Sequence, residues 1–328
     1  MQDAKARSSI SGLNSLRAFA FLAIFLFHSF KSFSYGYLGV DFFFVLSSFL
    51  LTYLALKEIN STGSFSTKNF FIRRALRIFP LYYLVVIGLL LILPLLAKPI
   101  GWSLQMPEHP WTYFVFVSNF DKSDHLFALK FLWSIAVEEQ FYIMFLVFSI
   151  FFKNYFRIPI IFMLLSYTVY MLLSKDYALD TYSNLIPHFM NFLMGMCLGY
   201  IHFYKKNIKT SPIILFIFSL LVIVFLVEDS FTIYFSVAMA LVIYLSIHAF
   251  KKYEVLSNRI FFITEYLGKY SYGLYVYSGI ILTFSGKFMS IENVYLSTLI
   301  NLTLTILLAI LSYHIYEQWF IRLKKKFY

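Results

Sequence analysis

Long apolar runs alternate with short polar segments along this chain, and they determine its predicted secondary structure. Each run is about 20 residues long, the length of helix that crosses about 30 Å of hydrocarbon. Backbone amides in lipid must bond within their own segment, so the runs are predicted to be transmembrane helices. The predicted spans are residues 14–32, 37–57, 71–98, 132–152, 157–174, 185–204, 211–227, 230–250, 265–285 and 293–320.

This pattern predicts an all-α, polytopic integral membrane protein with about ten transmembrane helices. A transmembrane β-barrel would need alternating strands of about ten residues, and the sequence has no such pattern. The spans 71–98 and 293–320 are long and are predicted to be tilted or to extend beyond the lipid. Residues 99–131 form the long connection, in which the run 111–120 is predicted to lie at the membrane interface.

Composition supports a membrane protein. Of the 328 residues, 60% are hydrophobic and only 13% are charged, whereas a soluble domain is about a quarter charged. We predict one transmembrane domain over 1–328 with no appended soluble domain and with the lipid bilayer as its surroundings. No small-residue cleavage site follows the first apolar run, so a signal peptide is not predicted. The one cysteine, Cys197, is predicted to be a buried, inert thiol.

The charged residues predict the orientation of the chain. If the N-terminus is cytoplasmic and the spans alternate, both termini are cytoplasmic and most of the Lys and Arg residues fall on the cytoplasmic side. The outer loops then carry acidic residues such as Asp121, Asp124 and Glu292. The net charge of +11 is therefore a topology signal. Nucleic-acid binding would need a basic folded face, so no nucleic-acid partner is predicted.

Three ionisable residues in separate spans are predicted to lie at similar depth. His28 lies beyond the midplane of the first span, and Asp41 and Glu138 lie near the outer ends of the second and fourth spans. Ionisable groups in a membrane are costly and therefore mark candidate functional sites. A carboxylate beside a histidine raises its basicity, as a general base requires. Each residue also has an alternative role when it is considered alone. His28 could form an interhelical hydrogen bond, and Glu138 could cap the start of its helix. Asp41 could stabilise a helix N-terminus.

Three arginines form a second candidate site at the cytoplasmic end. Arg17 is on the same face of the first span as His28, about 16 Å away along the axis. Arg74 and Arg77 begin the third span and face the same way. Guanidinium groups match phosphate oxygens, so the cluster is a candidate site for a polyanionic cytosolic ligand. The alternative is that Arg74 and Arg77 only set topology by reaching lipid phosphates.

Motifs of several enzyme classes are absent from the sequence. It contains no Gly-x-Ser-x-Gly, His-Glu-x-x-His, phosphate loop or Cys-x-x-Cys. A serine hydrolase, a zinc protease and an NTPase are therefore not predicted.

Six motifs in order resemble the type 3 acyltransferase family of bacterial integral membrane proteins. They are Leu13-Asn14-Ser15-Leu16-Arg17-Ala18 with His28; Gly39-Val40-Asp41-Phe42-Phe43-Phe44-Val45-Leu46-Ser47; Arg74-x-x-Arg77 with Phe79-Pro80-Leu81-Tyr82-Tyr83; Trp133-Ser134 with Val137-Glu138-Glu139-Gln140-Phe141-Tyr142; Leu267-Gly268-Lys269-Tyr270-Ser271-Tyr272-Gly273-Leu274-Tyr275; and Glu317 before Phe320-Ile321-Arg322. The chain departs from the family pattern at Ser48, usually glycine, at Ser278, often histidine, and at Gln318-Trp319, usually Arg-Pro.

The resemblance implies O-acyl transfer in the bacterial inner (cytoplasmic) membrane. Acyl-CoA, usually acetyl-CoA, would donate from the cytoplasm to a hydroxyl of a lipid-linked or cell-surface glycan, such as lipopolysaccharide or exopolysaccharide. His28 matches the family's catalytic histidine, and Arg17, Arg74 and Arg77 match arginines tied to the acyl-CoA. No metal or prosthetic group is implied. The change at Ser278 puts a histidine role in the ninth span in doubt.

Together, these features lead to a mechanistic hypothesis. His28 is predicted to act as general base on the acceptor hydroxyl, or as a transient acyl carrier, with Glu138 and Asp41 orienting it. Two alternatives stay open. One is a proton-coupled transporter or exporter of a glycan or metabolite, which buried His, Asp and Glu would suit, although no inverted repeat is visible. The other is a non-enzymatic partner of a polysaccharide-assembly machine.

Overall fold

The computed structural model describes residues 10, 12–30, 32–152, 157–177, 182–204, 237–241, 243–244, 259–289 and 291–327. Within these residues the chain is helical and has no strand, which confirms the predicted all-α class. The main helices are α1 (Leu13–Ser29), α2 (Leu38–Thr62), α3 (Thr67–Ile87), α4 (Leu93–Ala97), α5 (Trp111–Phe114), α6 (Phe127–Lys130), α7 (Trp133–Ser149), α8 (Arg157–Tyr177), α9 (Phe189–Phe203), α10 (Arg259–Gly268), α11 (Ser271–Phe288), α12 (Val294–Ser312) and α13 (Gln318–Leu323).

Four of the described helical segments are long and apolar enough to cross a membrane: Ser34–Thr62, Thr67–Ile100, Phe127–Ser149 and Val294–Phe327. Leu13–Ser29 and Arg157–Leu173 are shorter apolar helices. The predicted span 211–227 and most of 230–250 lie outside the described residues. The count of ten spans and the orientation stay predictions.

The helices divide into two compact units. Unit 1 comprises the described residues within Met1–Gly39, Ser66–Ile143 and Phe250–Tyr328, and unit 2 comprises those within Val40–Phe65 and Met144–Ala249. In unit 1, α1 packs along α10 and α11, and α11 packs on α6 and α12. In unit 2, α8 packs on α9, and α9 approaches α2 closely at Gly195 and Gly199.

Two π-helical turns interrupt the long apolar segments of unit 1. One, Gly88–Ile92, joins α3 to α4, and the other, Tyr313–Glu317, joins α12 to α13. The predicted spans 71–98 and 293–320 are therefore each built from two helices joined by such a turn. Single π-helical turns inside helices are frequent at functional sites, and the second turn ends at the buried Glu317.

The connection 99–131 is an ordered loop that is attached to α3 and α7. The Tyr82 and Tyr83 hydroxyls donate to the Tyr113 and Phe114 carbonyls at 2.8 and 2.9 Å. Gln140 donates to the Phe116 carbonyl at 2.8 Å. Phe116 adopts a positive φ of 57°, which is strained for a residue with a side chain. These contacts hold the loop against the helices of unit 1.

Candidate active site

His28 lies near the C-terminal end of α1, among aromatic rings. The centroid of its imidazole is 4.5 Å from that of Phe131, 4.7 Å from Phe27 and 5.3 Å from Phe127. The side chain is exposed, and no residue that the structure describes forms a hydrogen bond with its ring. Both ring nitrogens are therefore available to a substrate hydroxyl as far as the described protein groups are concerned.

A hydrogen-bonded chain holds the backbone of Phe131, whose ring lies beside His28. The Tyr275 hydroxyl donates to the Phe131 carbonyl at 2.9 Å. Since that uses its only hydrogen, the Ser134 hydroxyl is the donor in the 2.7 Å contact with Tyr275. A Cβ at Gly279 would lie 2.9 Å from the Phe131 ring, so α11 also packs directly against it. Ser278 stands at the position where the family often has histidine. Its hydroxyl is buried and donates to the Tyr275 carbonyl of the same helix.

Arg17 is held at the other end of α1 by contacts with α10. Its guanidinium is 3.4 Å from the Asn14 side-chain oxygen, and the Asn14 amide donates to Glu265 at 2.9 Å. Glu265 also accepts from the backbone and hydroxyl of Ser15, both at 3.1 Å. A Cβ at Gly268 would lie 1.7 Å from the Asn14 carbonyl oxygen. The close packing of α1 on α10 thus fixes the position of Arg17.

Glu138 lies among the arginines. The Tyr142 hydroxyl donates to its carboxylate, and the charge of Glu138 acts on Arg17. Arg74 lies over the ring of Tyr142 at 5.1 Å and near that of Phe70 at 5.8 Å, distances at which a cation is attracted to an aromatic face. The contacts described for Glu138 are thus with Tyr142 and the arginine site, and its predicted role in orienting His28 stays a prediction.

A cavity of about 190 Å³ lies beside these arginines in unit 1. Arg17 and Arg77 line it together with Lys269 and Lys324, and Glu317 is the acidic lining residue. Glu317 is buried and accepts a hydrogen bond from Ser312 at 3.2 Å. A concave, mainly cationic surface of this kind suits an anionic ligand.

Asp41 forms a buried polar cluster with residues of unit 2. Its Oδ1 accepts from His188 Nδ1 at 2.9 Å and from the Asn191 amide at 2.6 Å, and its Oδ2 accepts from the Tyr182 hydroxyl at 3.0 Å. His188 Nε2 lies 2.5 Å from the Tyr182 carbonyl oxygen. His188 thus links Asp41 to the backbone at Tyr182.

The comparison with known families identifies the chain. Residues 10–316 match the family described as the type 3 acyltransferase domain. The chain belongs to the type 3 acyltransferase family. Its long apolar helices and this membership make it a membrane protein of an enzyme family. Among the described residues, no group of three or more His, Cys, Asp or Glu side chains is arranged to hold a metal ion.

Several curated proteins are similar to part of this chain. The peptidoglycan O-acetyltransferase OatA of Listeria monocytogenes is 32% identical over 163 residues, which are 47% of this chain and 26% of OatA. YrhL of Bacillus subtilis, provisionally named a peptidoglycan O-acetyltransferase, is 35% identical over 143 residues, 41% of this chain and 23% of YrhL. A provisionally named O-acetyltransferase of Staphylococcus aureus is 39% identical over 149 residues, 42% of this chain and 24% of that protein. The matched part is thus about a quarter of the length of these relatives. No solved structure matches significantly.

Four residues near the predicted site of this family member were not assigned a role from the sequence. Lys269 and Glu317 belong to motifs quoted for the family, but only the folded chain brings them to one cavity with Lys324. Glu139, next to Glu138, is buried, and its Oε1 has no hydrogen-bond partner among the described residues. The sequence points to Glu139 only through the adjacent pair of carboxylates, Glu138 and Glu139, in an apolar run. The pair does not indicate which of the two residues faces the arginines.

Proposed function

We propose that this acyltransferase moves an acyl group, in the first instance acetyl, from cytosolic acyl-CoA to a hydroxyl of a lipid-linked or cell-surface glycan. Membership of the family over residues 10–316 carries the proposal. OatA is named a peptidoglycan O-acetyltransferase, and YrhL provisionally so, which supports an envelope saccharide as the acceptor. Lipopolysaccharide and exopolysaccharide are acceptors of the same chemical class. No metal or prosthetic group takes part in the proposed step.

In this proposal the enzyme is a multi-pass protein of the bacterial inner membrane. It has ten spans with both termini in the cytoplasm, as the distribution of Lys and Arg predicts. Arg17, Arg74 and Arg77 bind the phosphates of the donor on the cytoplasmic side. The thin pantetheine arm then reaches along α1 to His28, about 16 Å away at 1.5 Å per residue. The presence of Arg17 and His28 on one continuous helix supports this route.

His28 acts as general base in the proposed reaction. An imidazole nitrogen takes the proton of the acceptor hydroxyl as the hydroxyl oxygen attacks the thioester carbonyl carbon. The carbon–sulfur bond then breaks, and the CoA sulfur leaves with the proton that the imidazolium returns. The products are the O-acyl glycan and CoA-SH, and His28 is neutral again. The exposed ring, whose nitrogens no described residue bonds, supports this role.

The two carboxylates have different parts in the proposal. Glu138, with Tyr142, positions the arginines of the donor site, a role that its neighbours support. Asp41 remains the supporting carboxylate predicted from the sequence. Its three hydrogen-bonded partners in unit 2 hold it in a fixed orientation.

Replacing His28 tests the proposal. Purified protein in lipid nanodiscs is given acetyl-labelled acetyl-CoA and an acceptor saccharide, and labelled ester is measured. We expect His28→Ala to lower the rate by roughly 10²–10⁴, the range of general acid–base help. His109→Ala, which removes an exposed loop imidazole, should keep the wild-type rate. A His28→Ala protein that is as active as the wild type would show that His28 is not the base.

The same preparation separates the alternatives. Omitting the acceptor should leave no labelled acetyl group on the wild-type protein, because the hydroxyl attacks the thioester directly. Label trapped on His28 would instead identify an acyl carrier. A transporter or an assembly partner would form no labelled ester under any of these conditions, and that result would overturn the proposed function.

A further inference from the structure

The cavity in unit 1 contains more cationic side chains than the predicted donor site accounts for. Lys269 and Lys324 line it as well as Arg17 and Arg77, so four cations face one carboxylate, that of Glu317. Arg17, Arg73, Arg74 and Arg77 all act on the charge of Lys324. Gathering like charges in a half-buried space is unfavourable unless an opposite charge joins them. The lining therefore suits a ligand with several negative charges.

The two lysines come from other elements than the two arginines, which belong to α1 and α3. Lys269 follows α10 directly and is exposed, with its Nζ 4.7 Å from the centroid of the Tyr313 ring and 5.3 Å from that of Tyr270. Lys324 is half-buried in the turn after α13. An ammonium group is a compact point charge with three donors, whereas the guanidinium fork suits bidentate contact. Two kinds of anionic group can thus be recognised in one cavity.

We propose that Lys269 and Lys324 form a subsite for a phosphomonoester, which in the donor CoA is the 3′-phosphate of the ribose. This inference rests on the proposed function, in which Arg17 and Arg77 bind the diphosphate of the same molecule. A phosphomonoester carries about −1.5 to −2 charge at pH 7. The four cations and one carboxylate of the lining carry more positive charge than the two negative charges of the diphosphate match. The Tyr270 and Tyr313 rings beside Lys269 offer apolar faces next to this subsite.

The experiment compares two donors that differ only in that phosphate. Affinities of acetyl-CoA and of its 3′-dephospho form are measured by competition with labelled acetyl-CoA on the full chain in nanodiscs. We expect the wild type to prefer acetyl-CoA by roughly tenfold or more, as for a charge-assisted phosphate contact. Lys269→Gln and Lys324→Gln should each lower this preference towards one while leaving the affinity for the dephospho form unchanged.

Two further variants keep the test independent of folding. Lys325 is an exposed lysine of the same tail that does not line the cavity, so Lys325→Gln should keep the full preference. Lys324→Arg retains the charge and should recover most of the preference that Lys324→Gln loses. Adenosine 3′,5′-bisphosphate and 5′-AMP, which lack the acyl arm, should show the same pattern as competitors.

Each outcome decides between the subsite and the wider proposal. A wild type that binds both donors equally, yet transfers acetyl groups, overturns the subsite and leaves the proposed function standing. A preference that persists in Lys269→Gln and Lys324→Gln also overturns it, because other groups then bind the phosphate. A wild type that neither binds acetyl-CoA nor transfers its acetyl group overturns both.

Discussion

Arg77, near the start of α3, lines the cavity of unit 1. It shares that lining with Arg17 and lies within electrostatic range of Glu317. Arg322, by contrast, is exposed on α13, and its guanidinium contacts Gln318 at 3.3 Å. Both residues satisfy the cytoplasmic charge bias equally well. The folded position of Arg77 is therefore what supports a ligand role over a purely topological one.

Arg77→Lys is expected to weaken acetyl-CoA binding by roughly tenfold, because an ammonium cannot make the two parallel hydrogen bonds of a guanidinium fork. The positive charge is kept, so the amount of inserted protein should not change. Equilibrium binding of labelled acetyl-CoA in nanodiscs measures the effect. Arg322→Lys is the matched control and should bind as the wild type does. If Arg77→Lys and Arg322→Lys bind acetyl-CoA with equal affinity, Arg77 does not bind the donor and only contributes to the orientation of the chain.

At single residues, the sequence indicates which side chains are candidates for a functional site better than it indicates which residues they contact. Asp41 stands out as a carboxylate in an apolar run, but its partner His188 is 147 residues away. His188 itself lies near a span end, where an interfacial contact is the ordinary expectation. Similarly, depth along a span suggests Glu138 as a partner of His28 but does not indicate its hydrogen bond with Tyr142 or its closeness to Arg17. Helix rotation and packing decide such contacts, and neither can be read from spacing alone.

At the scale of elements, α9 packs on α2 through two glycines in the order Gly-x-x-x-Gly. A Cβ at Gly195 would lie 2.0 Å from the Ser48 hydroxyl and 2.2 Å from the Val45 carbonyl oxygen, and one at Gly199 would lie 2.6 Å from the Phe49 carbonyl oxygen. Small residues at this spacing let helix backbones approach closely in membranes. The missing side chains at Gly195 and Gly199 are thus a requirement of the packing in unit 2.

Gly195→Ala is expected to destabilise the protein by about 1–3 kcal/mol, the usual cost of overpacking a well-packed site. The added methyl meets backbone atoms, which cannot move aside as a flexible side chain can. Thermal unfolding of the purified protein in detergent measures the change. Gly286→Ala in α11 is the matched control, since nothing lies within 4 Å of its added Cβ. If both variants unfold at the same temperature, α9 does not pack on α2 in this way.

The loop 99–131 contains a histidine whose environment makes the loop sensitive to pH. His125 is buried, with Nδ1 2.8 Å from the Ser123 carbonyl oxygen and Nε2 2.7 Å from the Tyr113 hydroxyl. Burial lowers the pKa of His125 below its ordinary value of 6.5. Asp121, Asp124 and Lys130 are the charged groups that act on it, and hydrogen bonds lower the pKa of both carboxyls. Both carboxylates therefore stay ionised to a lower pH than an unperturbed aspartate does.

We expect the loop to be stable above about pH 6.5 and to loosen as the pH falls below that value. Stability falls with pH because burial disfavours the protonated, charged form of His125 in the folded loop. Below about pH 6.5 the unfolded loop therefore binds more protons than the folded loop does. Hydrogen exchange of residues 105–126, compared at pH 7.5 and 5.5 and corrected for intrinsic rates, measures the effect. His125→Gln keeps a donor and an acceptor but does not titrate, and its protection should be independent of pH. A pH dependence that survives in His125→Gln would assign it to another group.

Element positions were largely predictable, whereas their interruptions were not. The run of apolar residues in 71–98 predicts a helix, and α3 and α4 occupy it. The π-helical turn Gly88–Ile92 between them has no signal in hydropathy, because it changes the hydrogen-bond register without changing composition. The turn Tyr313–Glu317 is similar, and it is the one that brings Glu317 to the cavity.

At the scale of the whole molecule, exposed apolar side chains agree with a lipid-facing surface. Leu91, Leu95 and Leu96 are 57%, 74% and 63% exposed around the junction of α3 and α4. In water such a contiguous apolar patch would favour association, whereas in a bilayer it is solvated by lipid. Composition alone predicted this class. The division into two units depends on contacts between distant segments and could not be predicted from it.

The last prediction concerns the orientation of the chain, which the Lys and Arg distribution alone supports. Loop 58–70 is predicted to be cytoplasmic and 99–131 external, so the exposed Lys122 and Ser64 lie on opposite sides of the membrane. In a Cys197→Ala background, an impermeant thiol reagent added to intact cells should label Lys122→Cys and should label Ser64→Cys only after the membrane is opened. If Ser64→Cys is labelled in intact cells and Lys122→Cys only after the membrane is opened, the orientation of the protein is opposite to the predicted one. The cavity lined by Arg17 and Arg77 would then face away from cytosolic acyl-CoA. The proposed donor route along α1 would therefore fail as well.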